Sequence, residues 1–160
     1  MVFVVKVRLV AGGHVVNASE YESYASVVHT RTVRLLMTIA ANEGLTLITG
    51  DIGNAFLHAK TKEKIYSVAG KEFGYRQKCV LVIKKALYGL ATSARAWSLE
   101  LGDTFREMGF SPSRADPDLW IKQNVQTGKY EYIATYVDDV KMVGNEPELY
   151  LNIIKSKYPV

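Results

Sequence analysis

Tyr132-Ile133-Ala134-Thr135-Tyr136-Val137-Asp138-Asp139-Val140-Lys141-Met142-Val143-Gly144 decides how this chain is read. Two apolar, β-prone runs, Tyr132 to Tyr136 and Val140 to Val143, flank a pair of carboxylates, and each run has the length and composition of a short strand. Asp138 and Asp139 then fall at the tip of a tight hairpin. Aspartates at a turn are ordinarily turn chemistry, because their side chains bond the backbone nearby. Here the flanks are too apolar for an ordinary surface hairpin, and adjacent carboxylates on a buried hairpin repel each other unless a cation lies between them. On the pair alone, turn chemistry and metal binding both stay open. A metal held by such oxygens is a hard cation such as Mg²⁺.

Upstream, Thr46-Leu47-Ile48-Thr49-Gly50-Asp51 reads as a strand that ends in a third carboxylate. An aspartate there also serves to cap the following turn. The order Asp51, Ile52, Gly53, Asn54, Ala55, Phe56 resembles motif A of reverse transcriptases, and Tyr136-Val137-Asp138-Asp139 resembles their motif C. Between the two, Leu87-Tyr88-Gly89-Leu90 and Arg95-Ala96-Trp97 resemble a block of copia-type retrotransposon polymerases. Lys6-Val7-Arg8-Leu9-Val10-Ala11-Gly12-Gly13 resembles that family's fingers motif, and Ala115-Asp116-Pro117-Asp118-Leu119-Trp120 is similar to a further stretch of it. A lone Tyr-x-Asp-Asp carries little weight. The motifs stand here in the family's order across most of the 160 residues, so the chain is identified as a member by resemblance. It departs from the family at Ala91-Thr92-Ser93-Ala94, where a typical block has Lys-Gln-Ala-Pro.

The resemblance implies an α+β fold: an antiparallel sheet with helices on one face, forming the palm and partial fingers of a right-hand polymerase. Periodicity by itself supports only mixed α and β. The implied organisation is a single domain fragment over residues 1–160, truncated at both ends and lacking thumb and RNase H. The implied activity is RNA-directed DNA polymerisation, the transfer of dNTPs onto a primer 3′-OH with two Mg²⁺ ions (Mn²⁺ as the substitute). In that scheme Asp51 and Asp138 bridge both metals and Asp139 orients the primer-side ion. The Ile52 backbone carbonyl is a further ligand. Lys6 and Arg8 face the triphosphate, Phe56 forms a steric gate against a ribose 2′-OH, and Tyr88 and Gly89 line the nucleotide pocket. Tyr136, Val137, Lys84 and Lys85 meet the nucleic acid. The implied partners are an RNA or DNA template with its primer, dNTPs, and the remaining polyprotein segments (thumb, RNase H, integrase). The alternative is a catalytically inactive nucleic-acid-binding relic of such a polyprotein. An unrelated ferredoxin-like domain with an incidental acidic hairpin leaves the motif order unexplained.

Read without the resemblance, several of these residues have plainer roles. Lys6 and Arg8 share one face of a strand over Phe3 to Val10 by the two-residue period and read as solvated cations. Phe56 reads as a core aromatic, and Lys84-Lys85 as a solvated turn. For Asp116 and Asp118 the structural role is what the resemblance implies, because the family's chemistry does not use them.

Composition sets the outer bounds. Apolar residues make up 48%, which excludes a disordered chain, and 20 basic against 16 acidic residues give a mild net charge of +4. That excess is compatible with a phosphate-bearing partner without demanding one. Cys79 is the single cysteine, which excludes an intrachain disulfide and a cysteine-based zinc site, and its apolar neighbours suggest a buried thiol. The N-terminus lacks the parts of a secretion signal and no run reaches membrane-spanning length, so no membrane partner is expected; the resemblance to a retrotransposon polymerase implies the cytoplasm, a particle within it, or the nucleus.

Between the motifs, a helix is expected from about Thr30 to Asn42, capped by Thr30 or an earlier serine, with Val33, Leu36, Met37 and Ala40 as its buried stripe and Gly44 as its stop. Asn54 to Ala59 reads as one helical turn, Lys60 to Lys64 as a charged turn, Ile65 to Val68 as a short strand, Gly70 to Lys78 as a loop and Cys79 to Ile83 as a buried strand. A second helix runs from Ser93 to Met108, with Trp97, Leu101, Phe105 and Met108 inward. Leu119 to Gln123 and Lys129 to Tyr136 bracket a hairpin turn. A last helix starts at Asn145 to Pro147, with Asn145 as cap and Tyr150, Ile153 and Ile154 as its apolar face.

Overall fold

A computed structural model describes residues 9–12 and 23–158. In chain order the elements are α1 (Thr30–Glu43), β1 (Thr46–Asp51), a 3₁₀ turn (Ala55–His58), β2 (Lys60–Val68), a second 3₁₀ segment (Lys71–Arg76), β3 (Val80–Lys85), α2 (Ser93–Glu107), β4 (Ser111–Pro112), β5 (Leu119–Gln123), β6 (Tyr130–Tyr136), β7 (Asp139–Gly144) and α3 (Pro147–Lys157). The chain divides into two compact units: Met1–Tyr24 with Phe56–Trp97, and Ala25–Ala55 with Ser98–Val160.

The second unit is built on a five-stranded antiparallel sheet in the order β1-β7-β6-β5-β4. Successive strands from β4 to β7 are neighbours, and β1 adds to the far edge beside β7. Because side chains alternate along a strand, pairing fixes who shares a face. Leu47, Val143, Tyr132 and Ile121 line one face, and Leu119 and Ala134 continue it. Leu36 and Ala40 of α1 pack onto that side in one apolar cluster. Met142, Ile133 and Trp120 point the other way. There Phe105 of α2 meets the Trp120 ring edge-on at 5.2 Å, and the end of the Leu151 side chain of α3 lies against Gly50. Helices therefore cover both faces of the sheet, not one face as expected. A sheet with apolar residues on both sides exposes one of them unless each receives a helix.

The core explains local choices in the sequence. Phe105 is 0% exposed, and truncating such a side chain to alanine costs about 3–5 kcal/mol. Gly102, a weak helix former, sits where a Cβ would press to 3.1 Å from the Trp120 ring, so packing overrides helix propensity. Glu131 is buried beside Gly144, where its carboxylate accepts from Asn124 at 2.9 Å. Burial and that carboxylate push the Tyr150 hydroxyl up to about 12.

Helix starts differ from expectation. α1 begins at Thr30 with His29 at the cap position and no side-chain cap of its own. α3 begins at Pro147 with Glu146, not Asn145, at the cap position, again without a side-chain bond. The stop of α1 is as expected: Gly44 is left-handed, and a cap N–H returns to the Ala40 carbonyl. In α1 Thr32 is buried where Met37 was expected, and in α3 Ile153 is exposed.

In the first unit, β2 and β3 pair with each other as a two-stranded antiparallel ribbon. The charged stretch Lys60 to Lys64 is not a turn but the start of β2, carried past an irregularity between Lys60 and Ile65. β3 begins at Val80 and is not buried: Val80, Val82 and Cys79 are exposed. A two-stranded ribbon can bury one face only. Ile65 is buried on it, and Leu81 and Ile83 are half-buried. His58 lies over Trp97, ring centroids 6.1 Å apart. Lys6, Arg8, His14 and most of the expected first strand lie outside the described residues.

Candidate active site

The hairpin turn sets the geometry. Tyr136 pairs with Asp139, which leaves Val137 and Asp138 as a two-residue loop. Val137 has φ of 57°, in a position where such hairpins ordinarily put glycine. A β-branched residue there is an outlier, worth about 1–3 kcal/mol of strain. The surrounding sheet holds it: β6 and β7 stay paired up to the loop, and the Asp138 carbonyl accepts a hydrogen bond from the Ile52 N–H at 2.9 Å.

That same bond draws in the third carboxylate. Asp51 is the last residue of β1 and stands directly across from Asp139 in the β1–β7 register. Asp51, Asp138 and Asp139 thus gather at one end of one sheet although 87 positions separate Asp51 from Asp138. Asp51 and Asp139 are exposed and Asp138 is half-buried. Directly opposed like charges destabilise a strand pair. The arrangement therefore favours a cation at this end of the sheet.

The donors are all oxygens, which suits Mg²⁺ or Mn²⁺. Among the described residues no three carboxylate, imidazole or thiol groups already form a cage around an ion. Mg²⁺ does not need one: it keeps several waters and takes one or two carboxylates together with substrate phosphates. An open pair of facing carboxylates with a third beside them fits that habit.

Beside the carboxylates, on the α1 side of the sheet, lies an open cavity of about 250 Å³. Thr30, Val33, Tyr136, Asp139 and Lys141 line it. Lys141 follows Asp139 by two residues and so shares its face, a signal that the alternation of the sequence already contains.

The start of α1, at the rim of this cavity, is fixed from a distance. One Asp116 oxygen accepts from the His29 N–H at 3.0 Å and from the Thr32 hydroxyl at 2.6 Å, with the His29 ring at 3.1 Å. A carboxylate at a helix N-terminus satisfies free N–H groups and opposes the helix dipole. Burial pushes the Asp116 carboxyl up, but the bonds from Thr32 and His29 outweigh it and hold the group below its ordinary range. Burial raises the neighbouring Asp118 carboxyl, a bond from Ser26 opposes this, and the nearby Asp116 charge adds to the rise. Both aspartates act as structural anchors, as the resemblance implied.

The remaining expected site residues lie in the first unit. Phe56 and Tyr88 are in ring contact, centroids 4.8 Å apart. The Ala11 N–H donates to the Tyr88 carbonyl at 2.8 Å. Gly89, with φ of 92°, approaches the Ala11 carbonyl so closely that any Cβ would collide with it. Only glycine serves at such a position. Lys84 and Lys85 end β3, both exposed.

Residues 2–157 match the family model described as reverse transcriptase (RNA-dependent DNA polymerase). The chain belongs to the reverse transcriptase family. Among curated relatives of this reverse transcriptase chain, the retrovirus-related Pol polyprotein from transposon RE1 of Arabidopsis thaliana is 32% identical over 94% of the chain. The corresponding polyprotein from transposon RE2 of the same plant is 29% identical over 90%, and that from transposon TNT 1-94 of Nicotiana tabacum 27% over 80%. The copia-type resemblance therefore holds. The reverse transcriptase chain spans about 10% of the length of each of these relatives. No solved structure gives a significant match to it. No helix among the described residues is long and apolar enough to cross a membrane.

Proposed function

We propose that this chain carries the nucleotidyl-transfer centre of a retrotransposon reverse transcriptase, extending a primer 3′-OH with dNTPs on an RNA or DNA template. The observation that carries the reading is the facing of Asp51 and Asp139 across the β1–β7 pair with Asp138 in the adjoining loop. Family membership supports the reaction class.

Phosphoryl chemistry asks the protein for positioning and charge neutralisation more than for covalent work. Divalent ions at such a centre assist ionisation of the attacking hydroxyl and offset charge on the departing pyrophosphate. Asp51 and Asp138 would hold them, Asp139 would orient the primer-side ion, and the Ile52 carbonyl would add a ligand. Tyr136 and Val137, both exposed beside the carboxylates, would meet the primer terminus. Phe56, in ring contact with Tyr88, would exclude a ribose 2′-OH. Tyr88 and Gly89 would border the nucleotide, Lys6 and Arg8 would hold its triphosphate, and Lys84 and Lys85 would contact template or primer phosphates. In this reading residues 1–160 supply palm and partial fingers, and other polyprotein segments supply what closes on the duplex.

Primer extension on an RNA template with dNTPs and Mg²⁺ tests this. The wild-type chain extends the primer, Asp138→Asn loses at least about 100-fold in rate, as removal of a transition-state charge stabiliser does, and Phe56→Ala begins to accept ribonucleotides. Equal extension by wild type and Asp138→Asn, or none by folded wild type, overturns it.

A further inference from the structure

β6 leads into the loop that holds Asp138, and on one side it outruns its neighbour. β5 begins at Leu119, across from Ala134, so the next residue of β6, Thr135, has no strand beside it there. Thr135 is buried, and buried backbone groups need partners. Two loops supply them. The Thr135 N–H donates to the Asp118 carbonyl at 3.0 Å, and the Thr135 carbonyl accepts from the Val28 N–H at 3.0 Å. The Thr135 hydroxyl adds a longer bond to the Asp118 carbonyl, 3.4 Å.

One carboxylate holds both loops. Asp116 Oδ2 accepts from the N–H of His29, the residue after Val28, and from the Thr32 hydroxyl. Asp116 Oδ1 accepts from the Asp118 N–H at 3.3 Å. A carboxylate that only capped α1 would need the first set of contacts and not the second. Val28 is pressed into place as well, in the apolar cluster with Leu119 and Ala134. From Thr135 the chain runs through Tyr136 and the left-handed Val137 to Asp138. A strained residue persists only where its surroundings over-determine it. β7 holds the hairpin from one side, and the clasp on Thr135 holds it from the other.

We propose that Asp116 is a positioning residue for the carboxylate hairpin: by fixing Val28 and Asp118 on Thr135, it sets the backbone that presents Asp138. It acts through Thr135 and touches neither substrate nor metal. Its kinetic consequence rests on the polymerase reading; its mechanical consequence does not. The full chain is compared with Asp116→Ala, which removes the clasp, and with Asp116→Asn, which keeps one acceptor for His29 and Thr32. All are checked for folding by circular dichroism. Amide hydrogen exchange is followed by NMR at Val28, Thr135 and Ile52, the last because its N–H bonds the Asp138 carbonyl. Rates are taken relative to Leu101 and Phe105 in the core of α2, so that a global loss of stability cancels. Asp116→Ala raises these relative rates about tenfold, and Asp116→Asn lies between it and wild type. In primer extension Asp116→Ala lowers kcat about tenfold with the dNTP KM held within about twofold, the pattern of lost alignment in the transition state. Tyr158→Phe, which loses the buried bond to Thr104 that ties the end of α3 to α2, extends as wild type does. Unchanged relative exchange at Thr135 and Ile52 in Asp116→Ala overturns the proposal, whether or not the chain extends primers. So does an Asp116→Ala protein that extends at the wild-type rate. Faster exchange in a chain whose wild type extends nothing supports the clasp and overturns the polymerase reading alone. Where Asp116→Ala does not fold, Asp116→Asn against wild type makes the same comparison.

Discussion

Val137 is the residue at which local preference and fold disagree most openly. Valine has no business in left-handed backbone on steric grounds, yet φ is 57° there. Observed strain beside a candidate centre points to a requirement for that backbone path, here the path that sets Asp138 between Tyr136 and Asp139. We predict that Val137→Gly raises unfolding free energy in urea by about 1 kcal/mol, the relief of strain being partly offset by a freer unfolded chain. The same change slows primer extension, because the loop that carries Asp138 loosens. A destabilised Val137→Gly protein would show that valine is not strained in its native setting. The strain itself was not legible in the sequence: the hairpin was, from the apolar runs on either side, but a two-residue loop with valine first is a choice that only the flanking pairing enforces.

Elements were read best where one periodicity governed them. β1 ends at Asp51 as expected, and α1 and α2 stop at Gly44 and near Gly109, because amphipathic pattern and glycine agreed there. They were misread where pairing overrode composition. Lys60 to Lys64 looked like a turn because it is charged, but strand pairing with β3 asks only for backbone. Cys79 to Ile83 looked buried because it is apolar, but the ribbon has no second layer on one side. Helix starts failed for a different reason: the partner for α1 is Asp116, which no local window contains. Asp116→Ala strands the His29 N–H and the Thr32 hydroxyl, so we predict a loss of about 3 kcal/mol at neutral pH. Since the folded carboxyl lies below its unfolded value of about 3.9, the unfolded state binds the proton first. Asp116's contribution is therefore intact above about pH 4 and disappears as the pH falls through the lower, folded value. Asp118 runs in the opposite sense, its raised carboxyl favouring the folded state in acid. Urea midpoints of wild type and Asp116→Ala from neutral to acid pH check this: the gap between them closes in acid. A gap that stays constant would show that Asp116 acts by packing alone.

At the scale of the whole molecule, charge and chemistry are segregated. The three carboxylates belong to the sheet unit, and the excess positive charge belongs to the ribbon of the other. Family membership was legible because the motifs keep their order; the resemblance paired Asp51 with Asp138, whereas the strand register sets Asp51 directly across from Asp139. Net charge was not informative in the same way. A total of +4 conceals +6 within residues 60–85 against −2 elsewhere, and the split only acquires meaning once β2 and β3 are seen to pair. The claim on which the rest stands is that Asp51, Asp138 and Asp139 act as one cation-binding centre. Its most direct test is electron paramagnetic resonance of Mn²⁺ titrated into the chain with template–primer, the nucleic acid alone serving as background. The account predicts a bound Mn²⁺ signal that Asp51→Asn and Asp138→Asn each lose and that Asp103→Asn, at an exposed carboxylate on α2, keeps. Equal Mn²⁺ binding by wild type, Asp51→Asn and Asp138→Asn, all folded, would contradict it.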